Sequence, residues 1–176
     1  MTSQPSSILL DKGVIRRIYE FQVRVAKGLS PTPSQIEAVK VLVRLQHARN
    51  QLHITQQSAN ILQRRQPQYA KAILSGTGAL QKGRYLRRWA RRLREYAFSR
   101  EDAVILAYGS FGVDLKAQSI GVGVIVTADL KLVTNFNARS AEVKERFDQM
   151  TLNLPTPYRS LSLPEVVTSA TVLTDW

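Results

Sequence analysis

Cysteine is absent from this sequence of 176 residues. No disulfide, thiolate metal site or cysteine nucleophile is available, so stability has to come from an apolar core. The absence is what a reducing compartment permits. Histidine is nearly absent as well. His47 and His53 do not stand at metal-ligand spacing, and both read as surface or structural residues. Long apolar runs are missing: none approaches the roughly 18–20 residues that span a bilayer. The opening MTSQPSS has neither the basic lead nor the apolar stretch of a signal peptide. The expectation is a cytoplasmic protein without membrane association. Acid is the last scarcity. Asp and Glu number 13 against 25 Lys and Arg, a formal charge of +12. No carboxylate at all lies between Glu37 and Glu95. Such a balance says little about fold and much about partners. Arginine outnumbers lysine, and its planar fork matches phosphate oxygens. Nucleic acid, RNA foremost, is the expected partner. An acidic protein is the alternative.

The length suits one domain with a sizeable core, expected over residues 8–176 after a flexible lead-in at 1–7. Ile8–Leu10 is a short apolar strand. A helix follows from about Val14 to Ala26, ended by Gly28. A second helix starts in SPTPS, where Ser34 and Glu37 have capping-box spacing. Ile36, Val39, Leu42, Val43 and Leu45 are its expected core face. Leu52–Thr55 reads as a strand and Gln56–Arg65 as a helix. Pro67 opens another short helix. Ser75–Gly78 is a glycine-rich turn that lacks phosphate-loop spacing.

The stretch Ser99–Phe136 carries the clearest pattern. Ser99 caps a helix whose apolar positions are Ala103, Leu106 and Ala107, with Asp102 as the reciprocal acceptor. Val122 and Val124–Val126 form a β-branched run between Gly121 and Thr127. A strand apolar on both faces belongs in a parallel sheet covered on both sides. Ligands bind such sheets beyond the carboxyl ends of the strands. Asp129 stands at that end of this strand, and Asp11 stands at the same end of the first. With Asp102 at the start of the intervening helix, three carboxylates are expected to converge. Hard cations such as Mg²⁺ or Mn²⁺ neutralise oxygen clusters of this kind.

In these residues the sequence resembles a known family. LLDKGVIRRIYE, REDAVILAYG and VIVTADLKLV are similar to the three signature blocks of PIN domains. These are metal-dependent ribonucleases that include the VapC-type toxins of bacterial toxin–antitoxin pairs. The resemblance implies a three-layer α/β/α sandwich around a mostly parallel sheet of four or five strands. It implies an Mg²⁺- or Mn²⁺-dependent endoribonuclease with Asp11, Asp102 and Asp129 as catalytic and metal-holding acids. It further implies neutralisation by an antitoxin, and a homodimer. Two positions depart from the pattern. Where a second acid is usual, the best match is Asn60, or Ala59 or Gln57 in a slipped register; Asn60 offers a neutral oxygen or orients a water. After the first Asp stand Lys12 and Gly13. Lys12 either stands in part for a cation or binds a phosphate. The other reading is accordingly a PIN-fold protein with weakened catalysis that binds RNA, DNA or an acidic protein.

The most charged stretch is KGRYLRRWARRLR, Lys82–Arg94. On a helix, Leu86, Trp89, Ala90, Leu93 and Ala97 make one apolar stripe. Arg84, Arg87, Arg88, Arg91, Arg92 and Arg94 take the rest of the surface. With no acid before Glu95, this face is an expected phosphate-binding surface. Beyond Asp129, a turn or short helix is expected near Leu130–Phe136, with Asn135 and Asn137 available to the site. A separate amphipathic helix follows at Ser140–Met150, then a proline-rich loop, an edge strand at Leu161–Leu163, and a short helix or coil at Pro164–Ala170.

Overall fold

The computed structural model describes residues 7–176, so the expected lead-in lies outside the described residues except for Ser7, which opens the first strand. In chain order the elements are β1 (Ser7–Leu10), α1 (Lys12–Ala26), α2 (Pro33–His47), β2 (Gln51–Thr55), α3 (Gln56–Gln63) and α4 (Pro67–Leu74). There follow β3 (Gly78–Lys82), α5 (Leu86–Leu93), α6 (Arg100–Phe111) and β4 (Gly112–Val113). The chain continues through β5 (Val124–Thr127), α7 (Leu130–Leu152), β6 (Glu165–Thr168) and α8 (Ser169–Asp175). The strands form one sheet in the order β4-β3-β2-β1-β5-β6. All pairings are parallel except β3 with β4, where Gln81 opposes Val113 and Lys82 opposes Gly112.

The layers follow from side-chain alternation along the strands. Ile8, Leu10, Leu52, Ile54, Val124 and Val126 point to one face, where they pack with α1, α2, α3, α4 and α8. Leu9, Leu80, Ile125 and Val166 point to the other, under α5, α6 and α7. The architecture is therefore the expected three-layer α/β/α sandwich with a mostly parallel sheet, of six strands rather than the four or five expected. β1 and β5 are buried along their described length apart from Ser7, as a doubly covered strand requires. They are adjacent, with Leu9 opposite Ile125. This brings Asp11 and Thr127 to the same carboxyl edge.

Several boundaries differ from the sequence expectation, each for a local reason. The cap of α2 is Thr32 rather than Ser34, in a complete capping box with Gln35, because Pro33 is pre-shaped for the first helical position. Its buried face is Gln35, Ala38, Val41, Leu42 and Leu45, while Ile36 and Val43 are exposed. α7 is one helix of 23 residues, not two. Leu132, Phe136, Val143 and Phe147 form one continuous buried stripe along it. Ser140, which reads as a break, turns its hydroxyl back onto the Asn137 carbonyl within the helix. β3 was hidden because only Leu80 in it is fully buried. The final strand is Glu165–Thr168, beside β5, and not Leu161–Leu163. The arginine helix begins only at Leu86. Ala97 leaves the expected stripe altogether, sitting exposed in the left-handed region at φ 61° after a single 3-10 turn.

Candidate acidic edge and nucleic-acid interface

Asp11 sits where β1 becomes α1. Its backbone is extended, so its carboxylate reaches the first free N–H groups of the helix. Oδ1 accepts from the Lys12 backbone N–H at 2.7 Å, and Oδ2 accepts from the Thr127 hydroxyl at 2.9 Å. Burial pushes this carboxyl above the ordinary carboxylate range, against the opposing pull of the Thr127 hydroxyl and of Lys12. Thr127 is the last residue of β5 and is wholly buried. Its hydroxyl also accepts the Asp129 backbone N–H at 3.0 Å. Asp129 in turn caps α7, its Oδ1 accepting from Lys131 at 2.8 Å and Leu132 at 3.3 Å. One threonine hydroxyl therefore ties the turns of two expected site acids together.

Asp102 lies in the first turn of α6, where its backbone N–H donates to the Ser99 hydroxyl at 3.1 Å. The side chain that crosses to the start of α1 is that of its neighbour: Glu101 forms an ion pair with the Lys12 ammonium. Lys12 holds the Glu101 carboxyl below its ordinary range. Lys12 thus meets an internal anion.

Asn60 is exposed on α3, and its Oδ1 accepts from the Gln56 side chain at 2.8 Å. The residue of α3 that shares a groove with Lys12 and Gly13 is Ser58, whose hydroxyl accepts from Thr55 at 3.1 Å. In chemistry the acids of this edge suit a hard divalent ion. In placement they do not: among the described residues, no group of three or more His, Cys, Asp or Glu side chains is gathered to hold one. Asp129 caps α7 through Oδ1, Asp11 is held by Thr127 and by its own helix, and the side chain that reaches α1 is that of Glu101.

α5 presents the second feature. Leu86, Trp89, Ala90 and Leu93 are buried, and Trp89 packs edge-to-face on Phe147 with ring centroids 5.2 Å apart. This fixes the helix roll and turns Arg87, Arg88 and Arg91 outward, all exposed and without an ion-pair partner among the described residues. Arg84 lies 5.5 Å over the Tyr85 ring. Arg92 departs from the expected open face: it is half-buried and bound to Glu95 at 2.9 Å. The turn after α5 packs on the start of α7, through Phe98 against Phe136 and the Asn135 amide donating to the Ala97 carbonyl at 3.5 Å. The turn after the arginine helix accordingly lies beside the second turn of α7, the helix that Asp129 caps.

Thr127, Glu101 and Ser58 escaped the sequence reading. Thr127 had a signal, a hydroxyl closing a β-branched run at a strand's carboxyl end. Glu101 and Ser58 had none beyond their neighbours. No protein-family model, curated protein or solved structure matches this chain. The fold and site define a class, a doubly covered parallel α/β protein with an acidic strand edge and an arginine helix. Among the described residues no helix is long and apolar enough to cross a membrane.

Proposed function

We propose that this protein binds RNA through the outer face of α5 and presents it to the edge formed by Asp11, Thr127 and Asp129. The observation that carries the reading is the exposed set Arg87, Arg88 and Arg91, for which no ion-pair partner is found among the described residues. Cations without an internal partner release condensed counterions when they meet phosphates, which is the main source of sequence-independent affinity. Arginine adds paired hydrogen bonds to each phosphate. PIN-like endoribonuclease activity is the second reading, favoured by the threonine bridge that joins Asp11 to the Asp129 turn. An acidic partner such as an antitoxin would compete for the same arginines.

The test measures binding and cleavage together. Wild type and the triple variant Arg87→Glu, Arg88→Glu, Arg91→Glu are titrated into a mixed structured RNA. Loss of affinity with unchanged thermal melting supports the interface; unchanged affinity removes it. The same RNA is incubated with Mg²⁺, with Mn²⁺ and with EDTA, with Asp102→Asn in parallel. Metal-dependent cleavage lost in Asp102→Asn would establish the nuclease reading. Binding without cleavage leaves a binding protein.

A further inference from the structure

We infer that the groove between α1 and α3 is a receiving site for one unpaired nucleotide of a single-stranded RNA. The inference rests on the RNA reading and adds to it a second, base-reading contact beside the acidic edge. The groove has a volume of about 280 Å³ and begins at Lys12 and Gly13, immediately after Asp11. Its walls combine two kinds of group. Ile61 is apolar yet 48% exposed, and Tyr19 and Leu62 lie beneath it. Lys12, Arg16 and Arg65 are the charged groups, and no carboxylate lines the groove.

Arg65 is the informative residue. Its guanidinium lies over the Tyr19 ring, 5.1 Å from the centroid. Tyr19 also meets Tyr69 in a T-shaped contact, ring centroids 6.2 Å apart. The guanidinium is thus laid against a fixed aromatic support, and such a plane stacks on nucleobases. Exposed Ile61 supplies the apolar wall of the groove against which a base can rest. Arg65, which has no ion-pair partner among the described residues, can offer the N–H edge of its guanidinium to the attached phosphate, whereas Lys12 and Arg16 are paired with Glu101 and Glu20. Gly13 brings the end of the groove beside Asp11, since a Cβ there would sit 3.8 Å from Asp11 Oδ2, an ordinary contact distance. The volume lies at the small end of ligand sites, roughly 300–1,000 Å³. A recognition helix lays several apolar anchors along a longer groove. A duplex keeps its base faces stacked and out of reach, so the ligand must be single-stranded.

The experiment compares an unstructured RNA of uniform sequence with a fully paired RNA by fluorescence anisotropy at one salt concentration. Three proteins are used: wild type, the double variant Ile61→Ala/Arg65→Ala, and the α5 triple glutamate variant, with melting curves confirming that each is folded. Removing one base-stacking contact is expected to weaken single-stranded RNA about tenfold in the groove variant, with duplex affinity within twofold of wild type. A 4-thiouridine in the single strand should crosslink within residues 58–65 in wild type only. Equal loss for both RNAs, or no loss for either, overturns the groove assignment. So does a glutamate- and leucine-rich helical peptide that binds wild type but not the groove variant while single-stranded RNA ignores the change. If the α5 variant also leaves both affinities unchanged, the RNA reading itself has failed. If the α5 variant loses both while the groove variant loses neither, only the groove has failed.

Discussion

At the scale of single residues, the molecule keeps some polar groups in places that cost stability. His53 is an example away from the acidic edge. It is half-buried in β2, and neither ring nitrogen meets a hydrogen-bond partner among the described residues. Burial lowers its pKa, and the nearby Asp114 charge only partly opposes this. The sign of the consequence is definite. The unfolded chain takes up a proton near pH 6.5, whereas the folded chain resists until a lower pH. This contribution to stability is complete above that value and is lost as the pH falls toward the folded-state pKa. Thermal melts between pH 7.5 and about 5 should therefore show a loss that His53→Leu abolishes. The variant should also gain on the order of 1 kcal/mol at neutral pH by removing two unpaired buried nitrogens. The acids show how far residues could be read in advance. Asp11 and Asp129 were legible because each closes an apolar run. Ser58, not Asn60, is the polar residue of α3 that lines the groove with Lys12, a placement with no signal in the sequence around it.

Among the elements, α5 separates structural from surface residues most sharply. Trp89 has no exposed surface and touches Phe147, whereas Arg87 two positions earlier is exposed. Trp89→Ala should cost about 3–5 kcal/mol in denaturant unfolding, the usual range for a deleted core aromatic. Arg87→Ala should remain within about 0.5 kcal/mol of wild type. The stripe Leu86, Trp89, Ala90 and Leu93 was legible because its period matched a helix and nothing competed for burial. Other elements resisted for stated reasons. β3 buries one residue fully, so alternation had nothing to mark. The outward face of α2 carries Ile36 and Val43, so apolar residues stand on both sides and periodicity points to the wrong one. α7 contains two asparagines and a serine that resemble an interruption, yet its buried stripe runs through them.

Across the whole molecule, the excess of positive charge and the parallel sheet belong to different arguments. Charge governs association. Binding to single-stranded RNA should weaken with added salt. Replacing Arg87, Arg88 and Arg91 by Gln should reduce the log–log slope by about 2, or roughly 0.7 for each phosphate no longer neutralised. A salt titration of both proteins reads this directly; an unchanged slope would mean that those side chains do not meet phosphates. The α/β/α class was legible from β-branched runs alternating with helical patterns, but strand order was not, because register between distant strands leaves no local trace. That order has a temporal consequence. β1 is made before the other described strands yet lies in the interior of the sheet, and its neighbour β5 lies more than a hundred residues downstream. Pairings of such long separation are formed late and slowly. On the ribosome, the arginine helix emerges before Thr127 and Asp129 exist to complete the edge beside it. A nascent chain therefore exposes its arginine face before its acidic edge exists, and a product truncated before β5 is left cationic with β1 unpaired along one side.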